Sequence, residues 1–281
     1  MPRLAWSNLV AQILIIVTGG AVRLTGSGLG CSTWPQCEPG QFTPVLHEAM
    51  SVHTVIEFGN RTLTGVLGVI ALALAVAVWR DGGRPRWYRR LALAPLAGVA
   101  AQAVIGGITV LADLHPAVVS LHMVVSLLLV AASAALVALD GAPLGRPTLP
   151  GRTRVATRAL LAVGGLLMVL GTVTTGSGPH GGDDDVAYRY AVDPVLAAKA
   201  HAAAAWAFVV LVVACLWLLR HDRAPGTRRA WWILLVVTLA QGLVGYVQYF
   251  TGLPEVLVGV HLLGTGALTA ALTWAYCRLP R

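Results

Sequence analysis

The sequence predicts an all-α membrane protein with eight transmembrane helices, arranged as two parallel four-helix-bundle repeats with pseudo-twofold symmetry. Three observations predict it. The 281 residues are 57% hydrophobic and 11% charged, with a mean hydropathy of +0.74, which excludes an ordinary water-soluble domain. Apolar stretches of about 20 residues, the length that crosses a bilayer, recur eight times along the chain. One short phrase is also written twice: Gln102, Gly106, Leu114 and His122 match Gln241, Gly245, Leu253 and His261 at the single offset of 139 residues.

The first span, 5–22, has the length of a signal peptide. Gly19, Gly20, Arg23 and Thr25 run on without a small-residue cleavage site, so it reads as a retained helix. The second, 52–79, carries a polar stripe. Spans 91–112 and 116–139 hold the first copy of the repeated phrase, and 230–251 and 255–277 hold the second. Between them lie 156–175 and 194–219. Each half has four spans, an even number, so both copies share one orientation. Residues 1–142 form the first half, the Pro- and Gly-rich 143–155 a linker, and 156–281 the second half. The first span of each half ends alike, with Leu24 to Gly28 in one and Thr174 to Gly178 in the other.

The net charge of +8 does not point to nucleic acid, because the arginines gather in alternate loops, as membrane topology requires. Arg80, Arg84, Arg86, Arg89 and Arg90 follow span 2, and Arg146, Arg152, Arg154 and Arg158 follow span 4. Arg220, Arg223, Arg228 and Arg229 follow span 6, while Arg3, Arg278 and Arg281 mark the ends. Both termini are therefore expected on the cytoplasmic face of the plasma membrane, with these loops against anionic lipid. The loop CSTWPQC then faces outward. Its Cys31 and Cys37 are placed to pair, whereas Cys215 and Cys277 lie singly near cytoplasmic helix ends. A structural staple and a redox-active pair both remain open at that loop.

Spans 4, 6 and 8 start from the outer side, so distance from the start gives depth. His122 and His261 lie about six residues in, near 9 Å at about 1.5 Å per residue, and His201 is at matching depth in span 6. A lone membrane histidine is ordinarily a neutral imidazole hydrogen-bonded to a neighbouring helix. Two at one level in a four-helix unit suit the axial positions of a heme iron. Zinc fits less well, since no cysteine or carboxylate shares that depth in the second half.

The first half departs from this pattern. The span 2 position matching His201 is Asn60, a poor iron ligand. His53, Glu57, Asn60, Arg61 and Thr64 share one helix face, and Glu57 with Arg61 forms an i,i+4 pair in the favoured order. That pair reads either as a buried ion pair or as a functional carboxylate with its partner. His53 lies about 10 Å above Asn60 by helix geometry, at the mouth. The second half thus reads as built to retain a cofactor, and the first as built to exchange and transform something. His47, His115, His180 and His221 read as surface histidines, and Asp183 to Asp185 as a solvated acidic run. Arg23 suits a heme propionate, a lipid contact or a helix end equally.

Together, GGAVRLTGSGLGCSTWPQC at 19–37, IEFGNR at 56–61, LHPAVVSLH at 114–122, TTGSGPH at 174–180 and the histidines of spans 6 and 8 resemble heme A synthase. This membrane enzyme family converts heme O to heme A for cytochrome oxidase, and the resemblance covers the whole chain, as a bacterial type with one outward-loop cysteine pair. It implies a heme b held by His201 and His261 and a substrate heme O on His122, with Asn60, His53 and Arg61 around it. It further implies a catalytic Glu57, a Cys31–Cys37 disulfide with a part in redox chemistry, and oxidation of the heme O C8 methyl group to formyl. Many members have histidine at the position of Asn60; its absence leaves His122, with water or His53, to hold the substrate iron. Implied partners are a heme O synthase and cytochrome oxidase assembly factors, and a homo-oligomer is compatible with the sequence. Two other classes fit less of it: a bis-histidine heme b electron carrier linked to quinol, and a parallel-repeat transporter.

Overall fold

A computed structural model describes residues 2–44, 51–141, 149–183, 185, 188–220 and 225–279. Among these, eight helices are long and apolar enough to cross a membrane. They are α1 (Pro2–Leu24), α2 (Val52–Arg80), α3 (Arg86–Leu111), α4 (Pro116–Ala138), α5 (Gly151–Ser177), α6 (Pro194–Leu218), α7 (Pro225–Phe250) and α8 (Glu255–Cys277). The described residues form no strand beyond an isolated bridge between Glu38 and Gln41. His47, Glu48, Asp184, His221 and residues 143–148 of the linker lie outside the described residues.

Local chemistry explains where the helices start. Prolines stand at the cap or first helical position of α3 to α8, where a missing N–H costs nothing. Ser51 caps α2 by accepting the Thr54 N–H, and Asp193 caps α6 by accepting that of Leu196 at 2.7 Å. Four helices begin earlier than the apolar pattern predicts: α1, α3, α5 and α7 extend by several residues through arginine-bearing segments. Arginine is a good helix former whose long stem lets its charge reach water from a helix end, so these turns stay helical after hydropathy has fallen. In consequence α5 already includes residues 151–155 of the expected linker.

In the first half, α1, α2, α3 and α4 pack in a closed ring, so α2 and α4 face each other across its centre. In the second half, α5 packs on α6, α6 on α7 and α7 on α8. There α5 and α8 stand further apart, bridged by side chains such as Leu272 reaching Gly164. The halves meet where α4 and α1 pack on α8 and α4 packs on α5. Each half has its own apolar core at the arginine-rich end. Ala5, Leu9, Leu74, Val78, Ala92, Val130 and Leu136 build one, and Leu160, Phe208, Val212, Trp231, Leu234 and Leu272 the other. Lipid tails are as apolar as these side chains, so the contacts stabilise mainly through close packing. The two cores close the bundle at that end. The histidines occupy the other, which carries the Cys31–Cys37 loop.

The repeated phrase adopts the same turn twice. Leu114 and Leu253 both have positive φ, at 57° and 61°, each preceded by another positive-φ residue. Their N–H groups donate to Thr109 and Gln248 at 2.9 and 2.7 Å, positions related by the same offset. A left-handed leucine costs about 1–2 kcal/mol, so the surrounding packing specifies this turn in both copies.

Candidate functional site

The matched glutamines and histidines also make matched hydrogen bonds. Gln102 Nε2 donates to the His122 carbonyl at 2.9 Å and to Ser126 Oγ at 2.5 Å. Gln241 Nε2 donates to the His261 carbonyl at 2.8 Å and to Thr265 Oγ1 at 3.0 Å. Both hydroxyls in turn donate to the same histidine carbonyls. A carbonyl in a helix interior seldom gains a partner from another helix, so this clamp fixes the backbone that carries each imidazole. The rings rest against glycines: a Cβ at Gly106 would lie 3.3 Å from His122 Cε1, and one at Gly245 would lie 3.2 Å from His261 Cε1. His201 rests likewise on Gly171, at 3.1 Å. Any larger residue would push the ring away.

His201 and His261 face each other, with ring centroids 6.4 Å apart and planes at 71°. Two metal–nitrogen bonds of about 2 Å, plus about 1.1 Å from each nitrogen to its ring centre, total about 6.2 Å. The spacing therefore fits one iron between them. The Nδ1 atoms of His122 and His261 are buried without a hydrogen-bond partner among the described residues. Such atoms are costly in an apolar interior unless the ring does other work. No group of three or more His, Cys, Asp or Glu suited to a bare metal ion occurs among the described residues. A heme needs only axial donors, and this donor set fits one.

The first half brings other groups together. Glu57, 5% exposed, accepts the Cys31 N–H on Oε2 at 2.6 Å and Arg61 Nε on Oε1 at 3.1 Å. Arg61 Nη2 also meets Oε1, and Nη1 donates to the carbonyls of Thr33 and Gln36 at 2.9 and 3.2 Å. Cys31 and Cys37 form a disulfide and are fully buried. Trp34 of the same loop packs on Gly107 of α3, and Gly30 lies against the His53 backbone. The Glu57–Arg61 pair thus holds the disulfide loop down on the bundle, a link that sequence reasoning missed. Its partners are main-chain atoms, which carry no residue-type signal.

His53 Nδ1 is 2.9 Å from Ser27 Oγ. Asn60 Oδ1 accepts from Thr18 Oγ1 at 2.8 Å, and its Nδ2 would lie 4.0 Å from a Cβ on Gly19. His180 is less of a surface group than expected, since Nε2 lies 3.0 Å from the Leu253 carbonyl. Arg23 donates to the carbonyls of Thr175 and His180 at 2.8 and 2.7 Å, so it ties α1 to the end of α5. His115 caps α4 through its Nδ1.

Residues 2–188 match the family model described as cytochrome oxidase assembly protein, COX15-CtaA. The chain belongs to this family. Over 120 residues it is 32% identical to the heme A synthase of Bacillus licheniformis, covering 42% of this chain and 38% of that protein. Over 119 residues it is 34% identical to the heme A synthases of Bacillus cereus (strain AH187) and Bacillus anthracis (strain CDC 684), covering 42% of this chain and 37% of each. The aligned stretch thus spans less than two fifths of these relatives. The family match contains His53, Glu57, Asn60, Arg61, His122 and the disulfide, whereas His201 and His261 lie beyond it. The second-half pair rests on its own geometry.

Proposed function

We propose that this COX15-CtaA family member is a heme A synthase-like oxidoreductase that oxidises the C8 methyl group of heme O to formyl, giving heme A for cytochrome oxidase assembly. The observation that carries the reading is the inequality of the two histidine sites within one scaffold. One offers two facing imidazoles 6.4 Å apart. The other offers His122 alone, in the half where Glu57, Arg61 and the disulfide are tied together. In this reading His201 and His261 hold a resident heme b, which when bound supplies one-electron chemistry. His122 holds the substrate heme, and His53 stands at the mouth of that pocket.

The chain's own residues then position and stabilise. Both Glu57 oxygens accept hydrogen bonds from fixed donors, the arrangement that holds a carboxylate in one orientation. A carboxylate so held stabilises positive charge developing at the methyl carbon, or orients the attacking water. Arg61 keeps it in place, and the disulfide loop restricts water at the mouth. The arginine-rich loops support a plasma-membrane protein with both termini cytoplasmic and the Cys31–Cys37 loop outside. A heme O synthase is the implied supplier of substrate, the two halves are read as a duplicated unit, and a homo-oligomer is compatible with the lipid-facing surface.

The test is to co-express the chain with a heme O synthase, purify it in detergent, extract the hemes and separate them by chromatography with mass detection. Heme A or its hydroxymethyl precursor beside heme B is the expected result. Heme B alone, with heme O neither bound nor altered, would instead favour a quinol-linked heme b electron carrier, for which the His201–His261 pair is sufficient.

A further inference from the structure

Opposite His261 stands the imidazole of His201; at the matching position of α2 the first half has the amide of Asn60. His201 rests on Gly171 of α5, and Asn60 faces Gly19 of α1, so each side chain meets a glycine of the preceding helix. The residue before that glycine differs: Leu170 in one half, Thr18 in the other. The Thr18 hydroxyl donates to Asn60 Oδ1 at 2.8 Å, which engages the one atom of the amide with lone pairs suited to a metal and holds it toward α1. What remains is Nδ2, which donates and does not ligate.

Several other polar groups among the described residues of the first half are engaged. His53 is the one other histidine on α1, α2 or α3, and it bonds Ser27. Both Glu57 oxygens are engaged, Arg61 grips the loop, and Thr64 Oγ1 returns to the Asn60 carbonyl at 3.1 Å. Gln102 is held on the His122 carbonyl and Ser126.

We propose that a heme in the first half is bound from one side only, by His122, and that its opposite face is an open site for a small exogenous ligand hydrogen-bonded by Asn60 Nδ2. This rests on the reading that the first half binds a heme. The ligand class is a small molecule or anion with an exposed lone pair, such as carbon monoxide, cyanide or water. A donor above such a ligand stabilises the negative charge at its outer atom. Thr18 sets the orientation of the amide, and a first-half heme with a vacant face exchanges more readily than one held by two imidazoles.

The experiment uses the full chain in detergent, loaded with hemin. Carbon monoxide is added to the reduced protein, cyanide to the oxidised one, and both are followed optically. The expected result is two hemes per chain, of which one binds carbon monoxide and the other stays six-coordinate and unreactive. Asn60→His should keep both hemes and abolish carbon monoxide binding. Asn60→Leu should keep it, raise the C–O stretching frequency and weaken cyanide binding about tenfold. Thr18→Val, the milder change, should shift the same frequency without altering heme content.

Two six-coordinate hemes in the unaltered chain, neither binding carbon monoxide, would overturn the one-sided site while leaving the first-half heme in place. A single heme lost with His201→Ala and unaffected by His122→Ala would remove the first-half heme itself and so overturn both readings.

Discussion

The two halves clamp a histidine in the same way and surround it differently. Gln102 and Gln241 grip the carbonyls of His122 and His261 through identical hydrogen bonds, and Gly106 and Gly245 make room for the rings. Across from the ring the second half has His201, and at the matching position of α2 the first half has Asn60 fastened to Thr18. The first half adds a buried ion pair and a disulfide loop, while among the described residues α5 to α8 contain no ion pair.

The sharpest break in that comparison is His261→Ala. Losing one of two facing donors should remove the heme of the second half, lowering heme content by about one per chain by pyridine hemochrome assay, with His122-dependent binding intact. An unchanged heme count would dismiss the 6.4 Å pair as a cofactor site.

Next in size is Glu57→Ala. It removes the acceptor of the Cys31 N–H and leaves Arg61 without its anion, a loss of about 3–5 kcal/mol for a buried pair broken on one side. Conversion of heme O should stop while second-half heme stays bound. Glu57→Gln separates the contributions, because it retains an acceptor and removes the charge. If Gln restores conversion, the carboxylate acts by positioning the loop; if it restores only thermal stability, the charge itself serves the chemistry. Full product yield from Glu57→Ala would remove this residue from the mechanism.

Arg61→Met should be milder for heme binding and larger for the loop. With the Thr33 and Gln36 carbonyls released, Cys31 and Cys37, now fully buried, should become reducible and accessible to thiol reagents several-fold faster. Equal labelling rates in the two proteins would mean that Trp34 packing alone holds the loop.

The smallest effects belong to the clamps. Gln102→Leu and Gln241→Leu should each cost about 1–2 kcal/mol and weaken heme retention in their own half only. Cross-effects between halves would show that the α4–α8 contact couples the two sites.

The spans were legible because hydropathy and length alone decide whether a segment crosses a bilayer. Four of the eight helix ranges agree with the apolar pattern to within a residue; the other four run on through arginine-bearing turns, where helix propensity outlasts hydropathy. The 139-residue offset located the histidines and their shared depth. It did not reveal the Gln-to-carbonyl clamp, the cross-half tie of Arg23, the contact of His180 with the Leu253 carbonyl, or the grip of Glu57 and Arg61 on the disulfide loop. All of these end on main-chain atoms, and every residue has the same main chain.

By itself, then, the sequence determined eight membrane helices, which donors exist, how deep each lies and which helix face carries it. These follow from hydropathy and the 3.6-residue period, both properties of a single segment. Tertiary structure decided that the His201 and His261 rings stand 6.4 Å apart, that Thr18 donates to the oxygen of Asn60, and that both oxygens of the carboxylate beneath the disulfide accept hydrogen bonds. These are relations between segments far apart in the chain, and packing in three dimensions brings their atoms within hydrogen-bonding reach.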